Sequence, residues 1–490
     1  MLAAYCWPQS VSPGEQLELF FNSDRHDVLL RVTRQGAEDV VVRERRLSGA
    51  TQSLTGAESR DGCDWQPCLA ITPDKGWRSG FYLVSLEDQS GAIAHAFFVL
   101  KSSAPADAIL VLSTSTWRAY NDWGGPSFYT GAHVVAGRRP LPAGFLSKSD
   151  PQNQRVARYI DWGIEERRAL VRLGYSDWCM AAGWSNWELL FVRWAEREGF
   201  ELSYAASEDL DRDPGILNGH SLYLSVGHDE YWSAGMRDAV EDYLDAGGNA
   251  AFFSGNTSFW QVRFSDEYER MIGFKFDIEQ DPHYDESGAP TLSTMWSDPL
   301  VGRPENQMTG VSFTRGGYAH MPNAPRGTGG YKVEEPDHWA FAGLNLSRGD
   351  TLGAAGLVVG YECDGCEFVE REGRLVPTGR DGTPTSFTIL GTAPARLWET
   401  HQVAEGLDDS YVGELNWVAE RIGGEDNDAN RRRFADAHAV MGTYSRRERE
   451  NGSSGAGEVF TTGCTDWAYG LRHAEIATVT RNVIRRFTGG

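Results

Sequence analysis

Long apolar runs are missing from this chain: no stretch approaches the roughly 20 consecutive apolar residues a membrane helix needs. Membrane spanning is therefore not expected. Positive charge is also scarce, with 46 Lys and Arg against 69 Asp and Glu and a formal net charge of −23. A chain this acidic is repelled by a phosphate backbone, and no basic stripe offsets the repulsion locally, so nucleic-acid binding is not expected. Cysteine is sparse. Of the seven, Cys363 and Cys366 form one Cys-x-x-Cys, with no second pair or paired histidines at matching distance, so free thiols or an incidental pair are expected rather than structural zinc. The opening MLAAYCWPQSVSPGE lacks a basic segment followed by a long apolar one, which argues against a signal peptide and makes the cytoplasm the expected compartment. No Gly-x-Ser-x-Gly elbow follows a strand pattern, leaving a serine-hydrolase triad unsupported.

What is present is a globular composition, 41% hydrophobic and 23% charged, over 490 residues, a length that implies two or three domains. Seventeen Trp supply large, half-polar surfaces suited to packing under glycine-rich loops or lining pockets. Residues 1–103 read as short alternating strands, among them LELFFNS, DVLLRVTR, FYLVSLED and HAFFVLK, broken by turn residues. That pattern predicts a small immunoglobulin-like β-sandwich, with Cys63 and Trp65 as buried anchors.

From residue 104 the character changes. AILVLSTST is a continuous apolar run ending in small polar residues, the mark of a parallel strand buried on both faces. HSLYLSVGH and NAAFFSGN repeat the pattern, separated by the helical SAGMRDAVEDYLDAGGN, with Ser233 as N-cap and Gly247-Gly248 as stop. This rhythm predicts a doubly wound α/β domain over 104–490, extended by GLVVGYEC, SFTILGTA and GEVFTTGC. Residues 262–350, rich in Gly, Pro, Asp and aromatics, read as long loops over the sheet.

Ligands in open α/β sheets sit beyond the carboxyl ends of the strands. Three strand ends carry the unusual residues: STSTWRAYNDWGGPSFY, GHDEYWS and FFSGNTSFW. In GHDEYWS, His228, Asp229 and Glu230 are consecutive at a strand-to-helix turn. Asp229 or Glu230 is as well suited to capping the following helix as to chemistry. Tyr120 and Tyr129 in an aromatic, glycine-rich loop fit packing as readily as ligation. His338 and Trp339 fit either a pocket wall or plain packing, and Cys464 reads as structural.

These segments, with GRPENQMTGVSF and VFTTGCTDWAYGL in the same order over residues 108–488, resemble the family of the N,N-dimethylformamidase large subunit. The resemblance implies a core similar to class I glutamine amidotransferases and a mononuclear iron held by two tyrosines and one glutamate, with a histidine and an asparagine nearby. Residue by residue, Glu230 resembles the glutamate ligand, Tyr120 the first tyrosine, His228 the catalytic histidine and Asn256 the site asparagine. For the second tyrosine both Tyr129 and Tyr159 stand open. Hard phenolate and carboxylate oxygens suit Fe(III) better than zinc. The implied activity is hydrolysis of a small-molecule amide by a homo-oligomer or with a small partner subunit. The rival reading is a non-catalytic carbohydrate- or partner-binding protein on the same scaffold. The resemblance lacks the enzyme's large N-terminal additions, so a different substrate is compatible with it.

Overall fold

The computed structural model describes residues 1–148, 172, 174–284, 290–320, 324–399, 413–446 and 457–489. Among them no helix is long and apolar enough to cross a membrane. The chain is mixed α/β and divides into two compact units. The first gathers residues 1–148, 174–219 and 264–272; the second gathers residues 220–263 and those from 273 onward.

The N-terminal part of the first unit is built from two sheets. Ala3–Trp7, Leu17–Asn22 and Leu69–Ile71 make one, and Ser10–Val11, Ile93–Leu100, Gly80–Asp88, Val28–Gln35 and Val40–Leu47, in that order, make the other. Alternation explains the packing: Val28, Leu30 and Val32 point inward and meet Leu17, Leu19 and Phe21 of the facing sheet in one core. Val40–Leu47 is an exposed edge carrying Arg43, Glu44, Arg45 and Arg46, charges that discourage strand addition. Cys63 and Trp65 are buried in a satellite cluster with Ala3, Tyr5 and Phe20.

The compact units do not divide at residue 103. Side chains from the five-stranded sheet are welded to residues that follow it. Phe81 stacks on Trp184 at 4.1 Å, Phe97 meets Trp117 edge-on, and Arg34 pairs with Glu196 at 2.5 Å. The first unit therefore also contains Ala108–Leu112, its parallel neighbour Leu202–Ala206, and the helices Thr114–Tyr120 and Glu188–Arg197.

In the second unit Leu222–His228, Asn249–Gly255 and Glu458–Thr461 run parallel and are almost wholly buried, which is why their sequences show no alternation. Ala437–Ser445, Thr388–Ala395, Tyr331–Val333 and Thr351–Leu352 continue the sheet antiparallel. The helix Ala234–Asp245 covers it with Met236, Val240 and Leu244 at helical spacing, and Ser233 Oγ accepts the Met236 N–H at 3.2 Å.

Two expectations need correction. GLVVGYEC does not extend the main sheet. Its apolar half enters a tight turn in which Leu357 has φ 48°, and the strand that follows, Glu362–Gly365, pairs antiparallel with Ser312–Tyr318 in a separate two-stranded sheet. Residues 262–350 are likewise more than loops, since Ser312–Tyr318 and Tyr331–Val333 lie within them. The sequence SFTRGGY hides its strand because every residue is buried, and Gly316 and Gly317 let the backbone come close to Cys363 and Arg396.

Candidate functional site

In the second unit the carboxyl ends of Leu222–His228 and Asn249–Gly255 meet the strand Glu362–Gly365. His228 is the last residue of its strand and is 1% exposed. Its Nε2 lies 2.7 Å from Glu362 Oε2 and 3.2 Å from Glu230 Oε2. Burial disfavours a charged imidazole, yet the two carboxylates outweigh it and hold His228 well above its ordinary pKa. Asn256 sits one residue beyond the neighbouring strand at φ 48°, a left-handed conformation that asparagine tolerates. Its Nδ2 donates to Glu362 Oε2 at 3.2 Å, while its Oδ1 has no hydrogen-bond partner among the described residues.

Asp364 holds the turn in place. Its carboxylate accepts the backbone N–H groups of Asn256 at 2.9 Å and Thr257 at 3.2 Å. Burial pushes the Asp364 carboxyl up to about 8. Lys275, buried, places its ammonium over the faces of Trp260, Tyr231 and Phe276 at 5.0, 5.7 and 5.8 Å. Burial lowers it to about 8, against the pull of Glu230, Glu414 and Glu362. Glu414 accepts the Tyr318 hydroxyl at 3.0 Å and is raised to about 8 by burial. Four acidic side chains thus share one buried neighbourhood with one lysine and one histidine.

Asp229 accepts Ser225 Oγ at 2.7 Å and the Trp232 indole N–H at 3.0 Å, bracing the turn, while Ser233 caps the helix. Glu230 is buried, and its backbone carbonyl accepts the Trp260 N–H. His338 and Trp339 pack: Nδ1 of the histidine accepts the Ala340 N–H, and the indole rests on Phe460 and Phe487. Cys363, Cys366 and Cys464 are buried free thiols.

The first unit brings the two phenols together. Tyr120 ends the buried helix Thr114–Tyr120, and Tyr129 stacks on it with ring centroids 4.2 Å apart. The Tyr129 hydroxyl donates to the Tyr120 hydroxyl at 2.6 Å, and both rings lean on Trp178. The buried Arg139 fixes the intervening loop by donating to the carbonyls of Asn121, Trp123 and Ala136. Tyr159 lies outside the described residues. Among the described residues, no group of three or more His, Cys, Asp or Glu is arranged to hold a metal ion. Phenol oxygens are a different class of donor.

Glu362, Asp364, Lys275, Glu414 and Tyr318 escaped sequence reasoning. One signal was available, the two acids at i and i+2 in Glu362-Cys363-Asp364, which a strand places on one face.

A family profile described as N,N-dimethylformamidase beta subunit-like, C-terminal, matches residues 30–480. The N,N-dimethylformamidase beta subunit of an Alcaligenes species is 25% identical over 345 residues, 62% of this chain and 42% of that protein. The corresponding subunit of Paracoccus aminophilus is 24% identical over the same shares. The chain therefore spans less than half the length of these relatives. A solved structure described as a superoxide reductase of Thermotoga maritima aligns with 21% of this chain and 85% of its own, at 12% identity and a TM-score of 0.13, too low to carry an argument.

Proposed function

The chain belongs to the N,N-dimethylformamidase beta subunit-like family, and on that premise we propose that it hydrolyses the C–N bond of a small amide with the help of a bound iron ion, on an amidotransferase-like core. The observation that carries the reading is the buried contact of His228 with Glu362 and Glu230, joined by Asn256. Buried charge is costly unless it is paired or used, and clusters with displaced proton affinities gather at catalytic sites.

The donor types suit the ion. Tyr120 and Tyr129 present phenol oxygens 2.6 Å apart, close enough for both to face one cation, and the family resemblance names them with the hard carboxylate of Glu230 as ligands. When bound, iron supplies Lewis-acid polarisation of a carbonyl and acidification of water. The chain's own residues do the rest. His228 carries a proton at Nε2, where Glu362 and Glu230 hold it, and is the donor to the leaving amine. Glu362, the carboxylate shared by His228 and Asn256, takes up the proton that the attacking water loses, which makes good the one His228 gives to the amine. Asn256 offers Oδ1 as an acceptor that orients the substrate. Trp260, Tyr231 and Phe276 keep water from the Lys275 ammonium.

The test is release of amine from a panel of formamides and acetamides, alongside iron analysis and a visible phenolate-to-iron absorption band. Glu230→Ala is expected to lose iron and turnover together. An iron-loaded protein that releases no amine from any of the panel overturns the reading.

A further inference from the structure

The second unit contains a polar cavity of about 400 Å³ that the proposed chemistry does not use. Three guanidinium groups reach it from separate elements: Arg315 from the strand Ser312–Tyr318, Arg433 from the helix Asp428–Ala435, and Arg380 from the segment after the hairpin Phe368–Arg371 and Arg374–Pro377. All three converge on Glu367. Arg315 Nη2 lies 2.8 Å from Glu367 Oε2, Arg433 Nη2 lies 3.8 Å from the same oxygen, and Arg380 contacts Oε1.

Each guanidinium carries five N–H donors, so together they offer far more than one carboxylate uses. Two of the planes are also held ready. Arg315 is only 7% exposed, with its guanidinium carbon 4.4 Å from the centre of the Phe434 ring, and Arg433 shares that ring at 5.1 Å.

Charge runs the same way. The cavity lining holds three arginines against Glu367 and Asp436, three positive minus two negative, a net of +1 in a chain of net −23. His438, also in the lining, is pushed below its ordinary range by burial and adds no charge at neutral pH. Burial, and then Arg433 and Arg380 against the pull of Asp381, lower Arg315 to about 10.

We propose that this cavity is a binding site for a small monovalent carboxylate, gripped by Arg315, Arg380 and Arg433 beside Glu367. A planar carboxylate matches the guanidinium fork, and one negative charge balances the lining. A phosphate dianion would leave the site negative. Phe368, packed edge-on against His438, gives the apolar part of the ligand a wall.

The full chain is titrated with acetate, and separately with inorganic phosphate, at constant ionic strength, with binding read by calorimetry and melting temperature. Saturable acetate binding is expected, tighter than that of phosphate. Arg380→Ala with Arg433→Ala is expected to weaken it roughly tenfold or more, because charge-assisted bonds are lost. Both residues are partly exposed, so the variant keeps its fold, which its melting temperature without ligand checks. Glu367→Gln is expected to tighten acetate binding, since it removes the resident competitor. Absent saturation, acetate binding unchanged in the arginine variant, or acetate binding weakened by Glu367→Gln overturns the site. Phosphate binding more tightly than acetate overturns its assignment to a monovalent carboxylate.

Discussion

Two buried charge clusters, one in each unit, are built to opposite rules. In the first unit Arg34 and Glu196 form a closed account. The arginine donates to Glu196 and to the Ser79 carbonyl, and the glutamate also takes the Ala37 N–H and the Tyr204 hydroxyl. In the second, Glu230, Glu362 and Glu414 pull on one lysine while Glu362 and Glu230 also meet His228, and acceptor atoms of Asn256 and Glu414 have no hydrogen-bond partner among the described residues. Saturated buried charge fixes a shape, whereas unsaturated buried charge is kept because something else uses it. Histidine shows the same division within one unit: the carboxylates hold His228 charged, and burial holds His338 neutral.

The comparison breaks most visibly at Glu362. Glu362→Gln is expected to lower amide turnover by about 10² to 10⁴ while leaving the melting temperature unchanged or raised, because it relieves acid crowding. A large loss of stability with turnover intact would place Glu362 in the structural class. The mirror experiment is Glu196→Ala, which strands the Arg34 guanidinium. It is expected to cost about 3–5 kcal/mol in denaturant unfolding, with turnover per folded molecule retained.

Next in size is an acid limb of stability from His338. Burial, then Arg486, depress its pKa from the ordinary 6.5 to about 4, so the unfolded chain binds the extra proton between those values. Its stabilising share is present above pH 6.5 and is lost as pH falls toward 4. The loss is on the order of 1–2 kcal/mol by pH 5, and His338→Gln should flatten it in urea titrations. Smallest is Tyr129→Phe. One hydroxyl bond is worth about 0.5–1.5 kcal/mol, and a simultaneous loss of the coloured iron band would separate ligation from packing.

Sequence patterns exposed the parts of the site that follow long apolar runs. His228, Glu230 and Asn256 stand just beyond strands whose burial on both faces leaves continuous hydrophobic stretches, and a strand end is where such sheets bind. Lys275 and Glu362 gave no comparable signal. Lys275 follows a short strand in a region of weak periodicity, at φ 56°, and its role depends on three aromatic rings from different elements. Glu362 lies in a four-residue strand whose partner, Ser312–Tyr318, has two adjacent glycines and no alternation. The pairing of Tyr129 with Tyr120 was open in the sequence because a stacked pair and a ligand pair have the same composition.

Asp364 has one further consequence. By fastening itself to the backbone of Asn256 and Thr257, it sets where its strand neighbour two places earlier must come to rest. Glu362 is thereby delivered to His228 by a local clip rather than by the path the chain takes between the two turns. Outside the paired strand Ser312–Tyr318 and the aromatic rings around Lys275, that excursion can change its length or residues without unfastening the clip. It is where natural variation can redraw the reach of the site while the chemistry stays put.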